Sequence, residues 1–183
     1  VPPLGTADTA RQHACSIEGM VPTSNITWFQ AQAVCMLSGK HLITNFEWQV
    51  AVTGTADPGT NSARDRCLTS GGTVRATGMG SECRSYWGAE DMIGNLSEWT
   101  SDWWGQGADD EEGAQPSYFG NDLFTNVDRA QFQGYPADAD FPAASYRGGD
   151  SNDTTGAGVF ALGLDQGPAQ SAPMIGFRCA VSR

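Results

Sequence analysis

The side chains of this sequence that could attack a substrate or ligate a soft metal are its cysteines and histidines. No two cysteines have the Cys-x-x-Cys spacing typical of a zinc site. Neither histidine has a carboxylate or a cysteine at ligand spacing, which favours structural or surface roles for both. The cysteines are either buried free thiols or members of one or two disulfides, and their odd number leaves at least one unpaired. These residues are Cys15, Cys35, Cys67, Cys83 and Cys179, with His13 and His41.

Charge and motif content limit the function classes further. The chain has 183 residues and a formal net charge of −11, with one lysine and nine arginines. A protein that grips nucleic acid needs a basic stripe to displace counterions, and none is present, so nucleic acid and anionic membranes are not expected partners. No apolar run reaches the length of a membrane span. The hydrolase motifs GxSxG and HExxH are also absent.

The elements that must position any site are two helices and much irregular chain. The length predicts a single domain over residues 1–183, without an interior boundary. Residues 54–90 and 105–145 are rich in small and polar residues and predict long loops with short strands. The acidic run Asp109–Glu112 predicts a solvated loop, and a cation site is the alternative interpretation.

Two capping boxes predict where the helices begin. Thr27 with Gln30 forms the first, and Thr44 with Glu47 forms the second. The first helix is predicted to end at Gly39 and the second near Gly54. The predicted apolar face of the first helix consists of Phe29, Ala33, Cys35 and Leu37. The second helix is predicted to contain Trp48, Val50, Ala51 and Val52.

Four segments in order carry a resemblance to a known family. They are Thr27–Thr55, Gly94–Trp104 (GNLSEWTSDWW), Arg147–Gly149 (RGG) and Gly176–Ala180 (GFRCA). Together they resemble the formylglycine-generating-enzyme (sulfatase-modifying factor) type of C-type lectin domain. The resemblance implies an α+β fold: two helices on a short, twisted, mostly antiparallel sheet with long irregular loops.

Within that superfamily, residues Gly156–Ala180 resemble the variable region of diversity-generating-retroelement variable proteins. In those systems adenines of a template RNA are miscopied and the product replaces the 3′ end of the gene. The resemblance implies a ligand-binding display protein with a variable region at about residues 146–180. It also implies a prokaryotic or viral source, display on a cell surface or virion, and an unidentified protein or surface ligand as the partner.

The candidate variable positions are tested against the genetic code. An Asn codon with both adenines randomised yields Asp, Ser, Thr, Gly and Ala but never Gln or Met. Positions consistent with such a codon are Asp150, Asn152, Asp153, Gly156, Gly163, Asp165 and Ala172, with Ser151 beside them. Gln166, Gln170 and Met174 need Lys-type codons or are fixed. All eleven are predicted to be largely exposed on one contiguous face.

A fixed frame is expected to hold these positions in place. Predicted frame residues are Val159, Phe160, Leu162 and Leu164 in the segment itself, with Trp99, Phe177 and Arg178 outside it. The candidate variable residues are mostly small, and no aromatic or arginine anchor stands among them. The surface is therefore expected to suit a protruding partner or to bind weakly.

The resemblance also implies details outside the variable region. Related enzymes join the cysteines equivalent to Cys35 and Cys179, and Cys67 with Cys83 is the second candidate pair, which leaves Cys15 single. Relatives hold a structural Ca²⁺ with positions equivalent to Asp91, Gly94, Leu96 and Glu98. The alternative for Asp91 and Glu98 is that they cap backbone amides or pair with an arginine.

Two other functions were weighed against the display protein. The oxidase relatives use a cysteine pair shortly after RGG, and the matching positions here hold Asp153 and Gly158, which cannot act as thiolates. The EPN, QPD and WND tripeptides of sugar-binding C-type lectins are absent. The chain is therefore predicted not to be an enzyme. A fixed structural or display module of the same fold, without diversified binding, stays the alternative.

Overall fold

The computed structural model describes residues 13–60, 63–104 and 143–181. The helices are α1 (Trp28–Leu37) and α2 (Asn45–Ala51), and a 3-10 turn spans Thr154–Gly156. The strands are β1 (His41–Leu42), β2 (Ser97–Trp104), β3 (Ala143–Arg147), β4 (Leu162–Gln166), β5 (Ile175–Phe177) and β6 (Cys179–Ala180). The acidic run Asp109–Glu112 lies outside the described residues. Within 54–90, the described residues contain only an isolated bridge, Arg84 to Glu90, in place of the predicted short strands.

Both helices begin where the capping boxes place them. The Thr27 side chain accepts from the Gln30 amide, and the Gln30 side chain accepts from the Thr27 amide. Thr44 and Glu47 make the same reciprocal pair at the start of α2. Each box satisfies two amides that have no partner within the helix, so a short local pattern fixes the start of each helix.

The predicted buried face of α1 is correct for Cys35 and wrong for Phe29 and Leu37. The helix buries Ala31 and Cys35, whereas Phe29 is 50% exposed and Leu37 is 42% exposed. Ala31 and Cys35 are small and four residues apart, so they form one face along which the helix approaches its neighbours closely. Apolar residues lie on most sides of this ten-residue helix, and its periodicity therefore did not identify the buried side.

The main sheet has the strand order β4-β3-β2-β5. β3 pairs antiparallel with both β2 and β4, while β5 pairs parallel with β2. β1 and β6 form a separate antiparallel pair. Two helices on a short, mostly antiparallel sheet give the α+β architecture that was predicted.

Two buried clusters stabilise this arrangement. One surrounds Trp48 and includes Cys67 and Cys83, and the other surrounds Trp99 and includes Cys35. Disulfides join Cys35 to Cys179 and Cys67 to Cys83, the two pairs that were predicted. The first ties α1 to β6 and the second ties two loop positions together. Cys15 is unpaired and exposed.

Candidate functional site

The segment with the candidate variable positions runs from Asp150 to Met174 and is held between fixed strands. It leaves β3 through Gly148 and Gly149, forms the 3-10 turn, and returns as β4 beside β3. It then passes into β5, which pairs with β2. Both ends of the segment are therefore anchored in the sheet.

Residues 150–156 pack against an earlier loop. The Gly72 amide donates to the Ser151 carbonyl at 3.1 Å, and the Thr154 amide donates to the Thr69 carbonyl at 2.7 Å. The Asp153 carboxylate accepts from the Asp150 amide at 2.8 Å. These bonds fix the backbone of this part of the segment with few exposed side chains involved.

Asp150 has an unusual electrostatic position in this turn. Burial raises the pKa of its carboxyl, and the neighbouring charge of Asp153 raises it further. The hydrogen bond from the Asn152 amide, at 2.7 Å, opposes this by stabilising the charged form. The ionised carboxylate is thus tolerated here rather than favoured.

Residues 163–174 pack against the second buried cluster instead. The Tyr146 hydroxyl donates to the Asp165 carboxylate, and the Tyr146 ring lies on Gly163. The Pro168 carbonyl accepts from the Trp28 amide at 3.2 Å, at the start of α1. This part of the segment therefore follows the far end of β4 and runs alongside α1.

Exposure divides the eleven candidate positions into three groups. Asn152, Asp165 and Gln170 are exposed. Asp150, Asp153, Gly156, Gln166, Ala172 and Met174 are intermediate. Ser151 and Gly163 are buried, so the prediction that they would be exposed is wrong.

Two separate causes bury these positions. Ser151 is 0% exposed and lies between Asn95 and Gly72. Its amide donates to the Asn95 carbonyl, and its carbonyl accepts from the Gly72 amide. Gly163 is buried by the Tyr146 ring, and a β-carbon there would overlap that ring. Since residues 150–156 and 163–174 have different neighbours, a single contiguous binding face stays a prediction.

The predicted frame is present with one exception. Leu162 and Leu164 are buried, Val159 packs on the Trp48 cluster, and Trp99 is fully buried. Phe160 is 57% exposed, so its predicted frame role is wrong. β4 begins only at Leu162, so Phe160 lies in the preceding turn rather than in the paired strand. The frame prediction is therefore correct for Leu162 and Leu164 in the strand and for Val159, and wrong for Phe160 in the turn.

Arg147 and Arg178 are the charged members of the frame. Arg147 is 4% exposed, lies over the Trp48 ring at 5.7 Å and donates to Asn45, and burial lowers its pKa to about 10. Arg178 donates to both oxygens of the Glu98 carboxylate, at 2.7 and 3.0 Å. The indole of Trp48 donates to the same carboxylate at 2.9 Å.

The two carboxylates expected to bind calcium, those of Asp91 and Glu98, already accept hydrogen bonds from other groups. Besides the bonds to Glu98, the Asp91 carboxylate accepts from the Gly78 amide at 2.7 Å and pairs with Arg75 at 3.4 Å. Within 13–60, 63–104 and 143–181, no three His, Cys, Asp or Glu side chains are grouped to hold a metal. Both carboxylates already face an arginine, which favours the arginine-paired alternative.

Gly94 has a left-handed backbone conformation. Its φ is +70°, and an added β-carbon would overlap the Leu68 carbonyl. Calcium binding at this loop stays a prediction. An ion that binds only the folded state raises the melting temperature, so melts in Ca²⁺ and in EDTA that superimpose would contradict it.

Three aromatic rings that no sequence motif relates lie together at the start of α1 and the end of β2. The Trp28 ring lies 5.5 Å from that of Phe29 and 5.0 Å from that of Trp103, and the Phe29 and Trp103 rings are 5.7 Å apart. All three contacts are edge-to-face. The sequence shows aromatic residues at both places, but only the fold brings positions 28 and 103 together.

A family model, the sulfatase-modifying factor enzyme 1-like domain, matches residues 4–183. The chain belongs to this family. No curated protein sequence matches it. The positions that correspond to the cysteine pair of the family's oxidases hold Asp153 and Gly158, and four of the five cysteines are in disulfides.

Solved structures with the same fold share little sequence with this member of the sulfatase-modifying factor family. The Major Tropism Determinant P3c variant is 24% identical with a TM-score of 0.57, and the M1 variant is 21% identical with a TM-score of 0.56. Each match covers 84% of this chain and 36% of the determinant, so the chain spans about a third of their length.

Treponema denticola variable protein 1 is a further structural neighbour. It is 18% identical with a TM-score of 0.50, and the match covers 90% of this chain and 74% of that protein. These likenesses show that the chain has the C-type lectin fold of the formylglycine-generating-enzyme type.

Proposed function

We propose that this chain is a binding domain that displays exchangeable side chains on a fixed scaffold, and that a diversity-generating retroelement exchanges them. One observation carries the proposal. Between Asp150 and Met174, exposed side chains are interspersed among buried ones, while both ends of the segment are held in the sheet. Because Asn152, Asp165 and Gln170 are exposed, their substitution should leave the core intact.

The scaffold suits binding because its backbone is already ordered. A surface that loses little freedom on binding keeps more of its contact energy as affinity. The Cys35–Cys179 disulfide follows directly after the segment and joins it to α1. Replacement of exposed side chains on such a backbone changes the partner more than the fold, as in an antibody paratope.

The same observations support a protein without catalytic activity. Asp153 and Gly158 supply neither a thiolate nor a soft metal ligand at the positions where the family's oxidases have cysteines. A cleft of about 630 Å³, lined in part by Glu98 and Arg178, contains none of the eleven candidate positions. The proposed binding surface therefore lies outside this cleft.

Display on a virion or a cell surface is part of the proposal. Two structural neighbours are named tropism determinants and one a variable protein. Among the described residues, neither helix has the length and apolar character to cross a bilayer. The partner is proposed to be a protein or other surface ligand, and the alternative is a fixed display module.

Replacement of Asn152, Asp165 and Gln170 together by tyrosine tests the proposal. The probe is a random dodecapeptide display library panned on the full chain. The melting temperature is expected to change by only a few degrees while the enriched peptides change. A control triple at exposed positions elsewhere, Ser16, Thr60 and Glu82 to tyrosine, should leave the peptides unchanged. Equal effects of the two triples, or no enrichment, would contradict binding through this segment.

The retroelement has its own test. Deep sequencing of the 3′ end of the gene in its source population should find substitutions at codons of the candidate positions and few at frame codons such as that of Leu164. A matching template copy that differs at adenines should lie nearby. A uniform 3′ end without such a copy would favour the fixed module.

A further inference from the structure

Trp28, Phe29 and Trp103 form an exposed aromatic patch that no sequence motif identified. Phe29 is 50% exposed and Trp103 is 42% exposed, although both pack edge-to-face on Trp28. The indole of Trp28 donates to the Thr100 carbonyl at 2.7 Å, which fixes its position. The rings are therefore held in place and open to solvent at the same time.

The aromatic patch adjoins the candidate variable segment. The Trp28 amide donates to the Pro168 carbonyl, two residues before Gln170. In the sheet, Trp103 pairs with Ala144, and Ala144 pairs with Gln166. Aligned residues on neighbouring strands share a face of the sheet, so Trp103 and Gln166 lie in one row across three strands.

The charges of the segment have one sign. From Asp150 to Met174 the charged residues are Asp150, Asp153 and Asp165, and lysine and arginine are absent. Asp165 is exposed and directly precedes Gln166, the residue in the same row as Trp103. A carboxylate thus stands at the edge of the surface that contains the aromatic patch.

We propose that the aromatic patch is a fixed anchor of the binding surface, and that the partner is a protein loop presenting an arginine or lysine beside an apolar side chain. The inference rests on the proposed function. Exposed Trp and Phe rings attract a cation over their faces and cover apolar groups. Buried aromatic anchors supply most of the energy of typical interfaces. Asp165 complements the same basic residue.

This arrangement explains how mostly small variable residues can still support binding. The aromatic patch supplies affinity in every copy, and the exchangeable positions beside it then select among partners. With the aromatic patch as anchor, the surface need not bind weakly, as the absence of aromatic residues among the variable positions suggested. A sugar does not match this partner class, because its neutral hydroxyl groups carry no positive charge for Asp165 to pair with.

The experiment compares matched aromatic variants on peptides from the same dodecapeptide library. Phe29→Ala and Trp103→Ala are the test variants, and Trp87→Ala is the control. Trp87 is 71% exposed and lies in the loop next to the end of α2. Thermal melts establish that each variant is folded, and Phe29, on the outer side of α1, is the main test if Trp103→Ala does not fold.

Enriched peptides are expected to contain arginine or lysine next to an apolar residue. Phe29→Ala and Trp103→Ala should weaken their binding about tenfold or more, while Trp87→Ala leaves it unchanged. Asp165→Asn should weaken binding about two- to fivefold, less at high salt, as for an exposed ion pair.

Other outcomes overturn the inference in distinguishable ways. Peptides that respond to Asn152 and Gln170 but not to Phe29 or Trp103 would leave the proposed function intact and remove the anchor. Peptides that respond to the aromatic patch but to no exchangeable position would contradict the proposed function. Enriched peptides without a basic residue, or glycans bound at the patch in an array, would contradict the partner class.

Discussion

Residues 91–100 and residues 150–174 differ in how their polar side chains are accommodated. Every residue from Asp91 to Thr100 is buried. The two carboxylates of this segment, Asp91 and Glu98, pair with Arg75 and Arg178. From Asp150 to Met174, exposed positions are interspersed among buried ones, and all three charged residues are aspartates. Similar residue types are therefore buried and paired in the first segment but partly exposed in the second, and their contacts make the difference.

The difference also separates positions within the second segment. Ser151 and Gly163 are as buried as the frame, whereas Asn152 and Asp165 face solvent. All four are small or polar residues, and their contacts determine which of them are buried. Tolerance to substitution should follow the contacts, and four predictions test this from the largest expected effect to the smallest.

The largest effect is expected from the disulfide that closes the variable segment onto α1. Cys35→Ser with Cys179→Ser removes a link across 144 residues, which in the chain-entropy model lowers the free energy of unfolding by about 5 kcal/mol. The matched pair Cys67→Ser with Cys83→Ser removes a link across 16 residues and should cost about 3 kcal/mol. Urea denaturation of both, with Cys15→Ser throughout, gives the comparison. Equal losses would contradict a dominant role for loop length.

The buried ion pair is expected to come next. Glu98→Gln removes the carboxylate that Arg178 contacts directly, and breaking a largely buried pair costs about 3–5 kcal/mol. The loss should appear as a lower midpoint in urea denaturation with an unchanged slope.

Arg84→Gln is the matched control for that measurement. It removes an ion pair with Glu90 whose arginine is 59% exposed, and it should leave the midpoint nearly unchanged. If both substitutions had small effects, the contacts of residues 91–100 would not constitute a frame, and the contrast with residues 150–174 would fail.

What the sequence predicted correctly was local or came from ordered motifs. The capping boxes at Thr27 and Thr44 depend on residues three apart, and both helices begin there. The fold class followed from the resemblance of four segments in fixed order. Burial was predicted less well, since Phe29 and Phe160 are exposed despite their apolar side chains.

The missed features depend on contacts between distant residues. Gly163 is buried only because Tyr146 covers it, and the two lie 17 positions apart with a turn and a strand edge between them. The aromatic patch joins residues 28 and 103, which no local pattern relates. Periodicity reports one element at a time, so it cannot supply such pairs.

Gly163→Ala is the third prediction and the one most able to break the comparison, since Gly163 lies inside the candidate variable segment. A β-carbon there overlaps the Tyr146 ring, and overpacking of this kind costs about 1–3 kcal/mol. In a Tyr146→Ala background the ring is gone and the cost should shrink. Urea denaturation of the four variants measures this coupling. An additive result would show that Tyr146 does not confine the position.

The smallest effect concerns Asp150, where burial raises the pKa of the carboxyl. A raised pKa in the folded state means that folding favours the protonated form, so this group's stabilising contribution is present below the ordinary aspartate pKa of about 4 and is lost as the pH rises through the folded-state pKa. Asp150→Asn should match the original chain near pH 3 and exceed it at pH 7 by less than about 1 kcal/mol, because the site is only partly buried. Urea denaturation at both pH values checks this, with Asp65→Asn, at an exposed position, as the control. A variant less stable than the original at pH 7 would show that the hydrogen bond from the Asn152 amide outweighs the burial of the charge.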